Sequence, residues 1–476
     1  MGTSTRRAFG AVLAFVALTT MVIGCTSSGS DTKTSTKDTS SSGGGGGGGG
    51  TSSSLDAIRV PQDHKTIAAA LEAAKPGDLI LVDKGVYHEA LDVTTPDITI
   101  RGVDRNKVIL DGEFKLENGI RILDTDGVVV ENMTARNYLS NGFYWTGSDR
   151  YRGSYLTAYR NGDYGVYAFD AYHGQFDHSV GWGSPDAGFY IGECYKCDAV
   201  VDHVDSQYNG LGYSGTNSGG DLYLINSNWA NNRAGMVPNS GSYELCYPSR
   251  GTTVIGNTVH DNNYLKGPGI DVSLLAQGNG ILLAGAIDAD VERNLVYNHD
   301  RTGIAAVPFP EDDANDNPPP ASEHDTPCDE TKDKKLPNPK DVPGTVLWNA
   351  TGNRFVGNVV SGSGLADLAS ATVPIEDVAG LGNCFSDNTF ATTAPKALED
   401  LAPCDAKGNG GSFTDGALDL GPLIAEQPPK PPKNSYRKTP VPPAQANMPD
   451  ALTAKAEKFT GPTKPDLAAI KVPAKP

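Results

Sequence analysis

Glycines followed by an apolar residue recur at Gly119, Gly142, Gly165 and Gly188, 23 residues apart each time. The series continues at Gly212 and Gly235, skips to Gly280 and resumes at Gly303. Aligned, the openings read Gly-Ile-Arg-Ile, Gly-Phe-Tyr-Trp, Gly-Val-Tyr-Ala, Gly-Phe-Tyr-Ile and later Gly-Ile-Leu-Leu. Strand alternation turns the second and fourth residues inward and the third outward. A second short apolar stretch follows in each unit, as in Val128-Val129-Val130, Leu222-Tyr223-Leu224 and Ile255. After it comes a polar residue, usually Asn: Asn132, Asn226, Asn257, Asn294, Asn358 and Asn388. Asn tolerates left-handed backbone, and stacked from coil to coil such residues can satisfy each other's amides in a ladder. No helical pattern fills a unit, which excludes leucine-rich and TPR-type solenoids, and the period is too short for a propeller blade. The pattern predicts an all-β solenoid, a parallel β-helix of about ten coils and roughly 50 Å in length.

A solenoid needs its open ends covered. Thr66 to Lys75 reads as an N-terminal capping helix, with Thr66 as N-cap, Ile67, Leu71 and Ala74 on one face, and Pro76-Gly77 as the stop. The β-helix domain is expected over 55–421, with rim insertions at about 243–279 and 308–344, the second read as a disordered acidic loop. Residues 422–476, rich in Pro, Lys and Ala, read as a disordered tail.

Residues 1–25 carry Arg6 and Arg7 before the apolar stretch Ala8 to Ile23 and read as a signal peptide. Its end, Val22-Ile23-Gly24-Cys25, resembles the lipobox of bacterial lipoproteins, which implies that Cys25 becomes the N-terminal, lipid-bearing residue. Thr5-Arg6-Arg7-Ala8-Phe9 also looks like a twin-arginine signal, and general secretion stays open beside it. The segment 26–54, with its run Gly43 to Gly50, is a flexible tether. An exported protein held to the outer face of the membrane by lipid is therefore expected.

The 57 acidic against 39 basic side chains, a net charge of −18, argue against nucleic acid as a partner and leave room for calcium, although no metal ligand is assigned. Beyond Cys25, six Cys remain, so disulfides are expected, Cys384 with Cys404 first among the pairs. Cys194-x-x-Cys197 leaves a redox or zinc motif as the alternative.

The repeat register resembles the right-handed parallel β-helix superfamily of pectin-lyase-like proteins, and within it the NosD-like β-helix-repeat proteins. The stretch KTIAAALEAAKPGDLILVDKGVYHEAL is similar to the opening of pectinesterases. The superfamily holds lyases, hydrolases, esterases, epimerases and non-enzymes, so the resemblance implies a fold and leaves the reaction open. The Gln-Asp-Thr-Leu and Arg-Pro-Trp segments of pectinesterases, the Asn-Thr-Asp of polygalacturonases and the Asp-Pro-His-Asp of epimerases are all missing.

Candidate chemistry is sought on the outward columns. Tyr144, Tyr167 and Tyr190 stack as third residues of successive coils, and 15 of the 19 tyrosines lie between Tyr138 and Tyr247. Rings beside carboxylates suit a sugar chain; a ladder that stabilises the sheet surface is the competing reading. Asp170 and Glu193, three residues further on, are a candidate acid/base pair, although the fold imposes their spacing on any two stacked acids. Asp177-His178 is a further substrate-binding candidate, its surroundings faintly similar to a pectate lyase segment. His178 and His203 could equally replace ladder asparagines. His299 and Arg301, beside the acidic insertion, are candidates for a base and a carboxylate-binding group, with a solvated turn as the plain alternative. These columns point to a monomeric surface protein that binds, and in one form processes, an acidic polysaccharide or cell-wall glycan. The alternatives are a non-catalytic scaffold or adhesin and, further off, a NosD-like copper-delivery protein.

Overall fold

The computed structural model describes residues 55–312, 314–330 and 344–475. The expected leader, the Cys25 anchor and the tether lie outside them. Each regular coil gives one strand to each of three parallel sheets, here named A, B and C in the order the chain visits them. They hold twelve, ten and eleven strands. One coil runs Arg152–Ser154, Thr157–Tyr159 and Val166–Phe169 through the three in turn. The molecule is a right-handed parallel β-helix, as the period predicts.

The core follows from register. In sheet C, Phe143 pairs with Ile120 and Val166, and Trp145 with Ile122 and Ala168, all inward and buried. Each coil thus buries its apolar side chains on those of its neighbours, and none could be stable alone. In sheet A the stack Ile100, Val130, Gly153, Phe176 is interrupted by a glycine for a steric reason. A Cβ on Gly153 would stand 2.9 Å from Leu156 and 3.2 Å from the Trp145 ring. The vacancy admits Trp145, which packs against Tyr151 and Phe176. The N-terminal end is capped by the helix Ile67–Ala73, whose Thr66 side chain accepts the Ala69 N–H. At the other end lies the helix Leu398–Leu401, with both terminal leucines buried.

Asparagine ladders run inside the coil, one residue away from part of the expected column. Asn257, Asn294, Asn358 and Asn388 pass a side-chain hydrogen bond from Nδ2 to Oδ1 at 3.0 Å each. Asn132 and Asn226 instead occupy the preceding left-handed position, with φ of 54° and 47°. Tyr155, His178 and His203 share that left-handed column, so the two histidines stand where an outer asparagine stands in other coils.

A second ladder joins Asn209, Asn232 and Asn262 and ends on His299 Nε2, 3.2 Å from Asn262 Nδ2. This corrects the expectation of a rim base, because His299 is 2% exposed and lies within the coil. Burial pushes its pKa down to about 3. The unfolded ring takes up a proton near pH 6.5 while the folded ring resists down to about 3, so stability is lost as pH falls between those values. We expect His299→Asn, which extends the ladder, to abolish that loss, about 2 kcal/mol at pH 5 on linkage arithmetic. Urea midpoints at pH 7 and pH 5 check this, and an equal drop in both proteins would refute it.

Three expectations about the periphery change. The stretch 243–279 is not one insertion, because it contains the regular strands Arg250–Ile255 of sheet A and Thr258–His260 of sheet B. Loops flank them, the later one carrying the short helix Asp271–Leu275. Of the second insertion, residues 331–343 lie outside the described residues. The part before them is tied down, with Phe309–Glu311 antiparallel to Val346–Trp348 and Cys328 bonded to Cys246. Cys384 pairs with Cys404, and Cys194 with Cys197 as a disulfide.

The third correction concerns the tail. Over 434–475 it is a strap on the coils: Tyr436 and Thr439 are buried, and Arg160 donates to the Thr439 carbonyl at 2.8 Å. Leu467 and Ile470 pack on Val200, Tyr223, Ile225 and Ile255. No described helix is long and apolar enough to cross a membrane.

Candidate functional site

The outer column of sheet C reads, coil by coil, Asp92, Arg121, Tyr144, Tyr167, Tyr190 and Ser214. As the alternation predicts, the three tyrosines form a ladder. Their ring centroids lie 5.0 Å and 4.7 Å apart with planes 21° and 12° from parallel, and Tyr164 leans on Tyr167 at 4.6 Å. The rings therefore fill each other's faces. What the half-buried Tyr144 and Tyr167 offer to a ligand is edges and hydroxyls, while Tyr190 is only 1% exposed.

Carboxyl groups border the ladder on both sides. The turn after each strand carries Asp124, Asp170 and Glu193 in the left-handed conformation, so Asp170 and Glu193 do stack in adjacent coils. Glu193 Oε2 accepts the Leu245 N–H at 2.8 Å and thereby holds down the loop after residue 240. The turn before each strand stacks Glu117, Ser140, Asp163 and Asp186 through backbone bonds. Tyr164 donates to Asp186 at 2.5 Å, and Tyr190 donates to Glu244 Oε2 at 2.7 Å. Burial, and then repulsion from Glu193 and Asp186, pushes Glu244 up to about 8 against the pull of the Tyr190 hydroxyl. Burial raises Asp163 and Asp186 as well, helped by repulsion from Glu117 on Asp163 and from Asp163 on Asp186. Carboxylic acids that hold their protons at neutral pH can donate hydrogen bonds and protons, the condition for general acids.

Asp163, Tyr164, Asp186 and Glu244 escaped the sequence reading. Glu117, Ser140, Asp163 and Asp186 each stand two residues before a repeat glycine, so the 23-residue period already contained that column. Glu244 lies on an irregular loop and had no such signal.

The other candidates are placed elsewhere. Asp177 is on sheet A, 2% exposed. It accepts from Arg152 Nε at 2.9 Å, Ser154 Oγ at 2.6 Å and Gln175 Nε2 at 2.9 Å, and pairs with His178 Nδ1 at 3.0 Å. Burial would raise its pKa, but the bonds from His178 and Arg152 win and hold it at about 2. It is a saturated structural carboxylate. His178 stacks between Tyr155 and His203 and lines a groove of about 570 Å³ beside the strap, on a different edge from the tyrosines. Arg301 does not meet His299. It donates to the Leu275 carbonyl at 2.9 Å and lines an apolar cavity of about 60 Å³ with Leu282, Phe309 and Leu423. Among the described residues no three His, Cys, Asp or Glu side chains converge to hold a metal ion.

No family model matches the chain, and no curated protein matches it in sequence. Solved structures do. The A-module of the mannuronan C-5 epimerase AlgE4 of Azotobacter vinelandii is 15% identical over 75% of this chain and 96% of its own, with a TM-score of 0.45. An alginate lyase from Paenibacillus sp. is 13% identical over 68% and 95%, with a TM-score of 0.32. A pectin methylesterase from Yersinia enterocolitica is 15% identical over 44% and 82%, with a TM-score of 0.29. At such identities the likeness concerns fold alone. On its own ladders and register, the chain is a right-handed parallel β-helix protein.

Proposed function

We propose that this protein binds and processes a polysaccharide on the outer face of sheet C, along the tyrosine ladder. The observation that carries the reading is the Tyr190–Glu244 unit, a carboxyl that burial pushes up to about 8, hydrogen-bonded to the last ring of an aromatic column with further carboxyls on both flanks. Glycoside cleavage needs a proton donor and a base or nucleophile. Glu244 is the donor, and Glu193, with Asp170 one coil below, supplies the base. The charges acting on Asp163, Asp186 and Glu244 are those of other acids, Glu117, Asp163, Asp186 and Glu193. Such a site repels a polyanion, so an uncharged or amino-sugar chain fits better than the acidic chain expected from the sequence.

One observation favours the rival reading, a non-catalytic rod: the tyrosine faces are spent on each other. Tyr144 separates the two readings, because it is the half-buried first ring of the ladder, with a ring neighbour in the column on one side only. Incubated with a panel of plant, microbial and host glycans, the protein is expected to retain at least one and to release reducing ends from it. Tyr144→Ala should weaken retention roughly tenfold, about 1.4 kcal/mol, with an unchanged circular dichroism spectrum. Retention of no glycan sinks the proposal, and retention indifferent to Tyr144 moves the binding site elsewhere. We further propose that lipid on Cys25 holds the protein at the outer face of the membrane, in which case Cys25→Ser should leave it unlipidated and out of the membrane fraction.

A further inference from the structure

The outer face of sheet C changes exposure coil by coil. Asp92 and Leu123 are exposed at its lower end, and Tyr144 and Tyr167 are half-buried. From Tyr190 upward the column is covered: Ser214, Val237, Leu282 and Ala305 are all buried. Glu244 sits on Tyr190, and Asn239, at the end of its strand, reaches the Tyr243 hydroxyl at 2.5 Å. Above them Val237, Leu282 and Ala305 join one apolar cluster with Phe309 and Trp348, against which Leu418 packs.

This cover is pinned rather than hinged. The buried Glu311 accepts from the Ser242 backbone at 2.8 Å, from the Ser242 hydroxyl at 3.0 Å and from Trp348 Nε1 at 2.7 Å. The Cys246–Cys328 bond fastens the same loop a few residues on. A ligand opens a site only by its differential affinity for the open form. Opening here would orphan a buried carboxylate and expose an apolar cluster.

Resting on the glycan reading above, we propose that the ladder, between its two turn columns, is the floor of a blind groove that seats the end of a sugar chain rather than its middle. The terminal unit lies against Tyr167, under the edge formed by Glu244, and the rest of the chain leaves past Tyr144 and Arg121. The open stretch from Arg121 to Tyr167 spans two coil steps, ~10 Å at the inter-strand spacing, room for a short run of sugar units. The walls are the two turn columns, Asp163 and Asp186 on one side and Asp170 and Glu193 on the other.

The test is isothermal titration of the full chain with short cello-, chito- and manno-oligosaccharides and with long polymers of the same sugars. One protein should bind per chain end of a given kind, so the mass of polymer needed for saturation should rise in proportion to chain length. Products from the sugar that binds should be small from the first time point, with polymer viscosity falling late. Many proteins per long chain, or an early collapse of viscosity, would overturn the blind groove and leave the glycan site standing. No binding of any of these sugars would overturn the groove as their site and this inference with it.

Discussion

Removing residues 434–475 is expected to cost roughly 5 kcal/mol of stability, taking about 1 kcal/mol net for each of the strap's well-formed hydrogen bonds. Arg101, 2% exposed, gives one nitrogen to Glu131 at 2.7 Å and another to the Ala454 carbonyl at 2.5 Å. The Arg105 backbone donates to Asn447 at 2.6 Å, and Asn106 and Gln445 exchange two bonds of 2.8 Å. Asn132 accepts from Met448 at 2.8 Å, and Arg293 reaches the Leu467 carbonyl at 2.9 Å. Truncation would bare these groups to water and uncover the patch under Leu467 and Ile470. The exposed pairs Lys458–Asp97 and Lys464–Asp221 contribute little by comparison. Urea unfolding of the truncated chain measures the effect. A midpoint equal to that of the full chain would mean the strap is only laid on the surface.

The strap also explains what the sequence could and could not reveal. The coils were legible because every unit repeats the same inward pair at the same spacing, from Ile120 and Ile122 to Phe143 and Trp145. The tail carries no such pattern, since it binds mainly through backbone carbonyls offered to Arg101, Arg105, Arg160 and Arg293. A Pro- and Lys-rich composition reads as disorder when the partners that order it are far away in sequence. His299 was hidden differently. Its ladder mates Asn209, Asn232 and Asn262 stand 23, 30 and 37 residues before one another and His299, so insertions had erased the period. The tyrosine ladder was legible as a column, but whether its faces were free depended on ring rotation, which the alternation rule does not fix.

Glu244→Gln is expected to lower turnover by ~10²–10⁴, the usual range for losing a general acid, while leaving glycan retention in place. Glutamine keeps a side-chain oxygen to accept the Tyr190 hydroxyl but has no proton to give. In the parent protein the donor must be protonated, so the rate should fall as pH rises through about 8. Tyr190→Phe makes the sharper test because its sign is fixed by the geometry. The Tyr190 hydroxyl donates to Glu244 at 2.7 Å and so favours the charged carboxylate; without it, burial and the neighbouring acids act unopposed. The basic limb of the pH–rate profile should therefore move to higher pH in Tyr190→Phe. A merely structural ladder would lose stability and leave the limb where it was. A shift to lower pH would mean that another group gives the proton, and Glu244 would then be only the clasp that closes the groove over Tyr190.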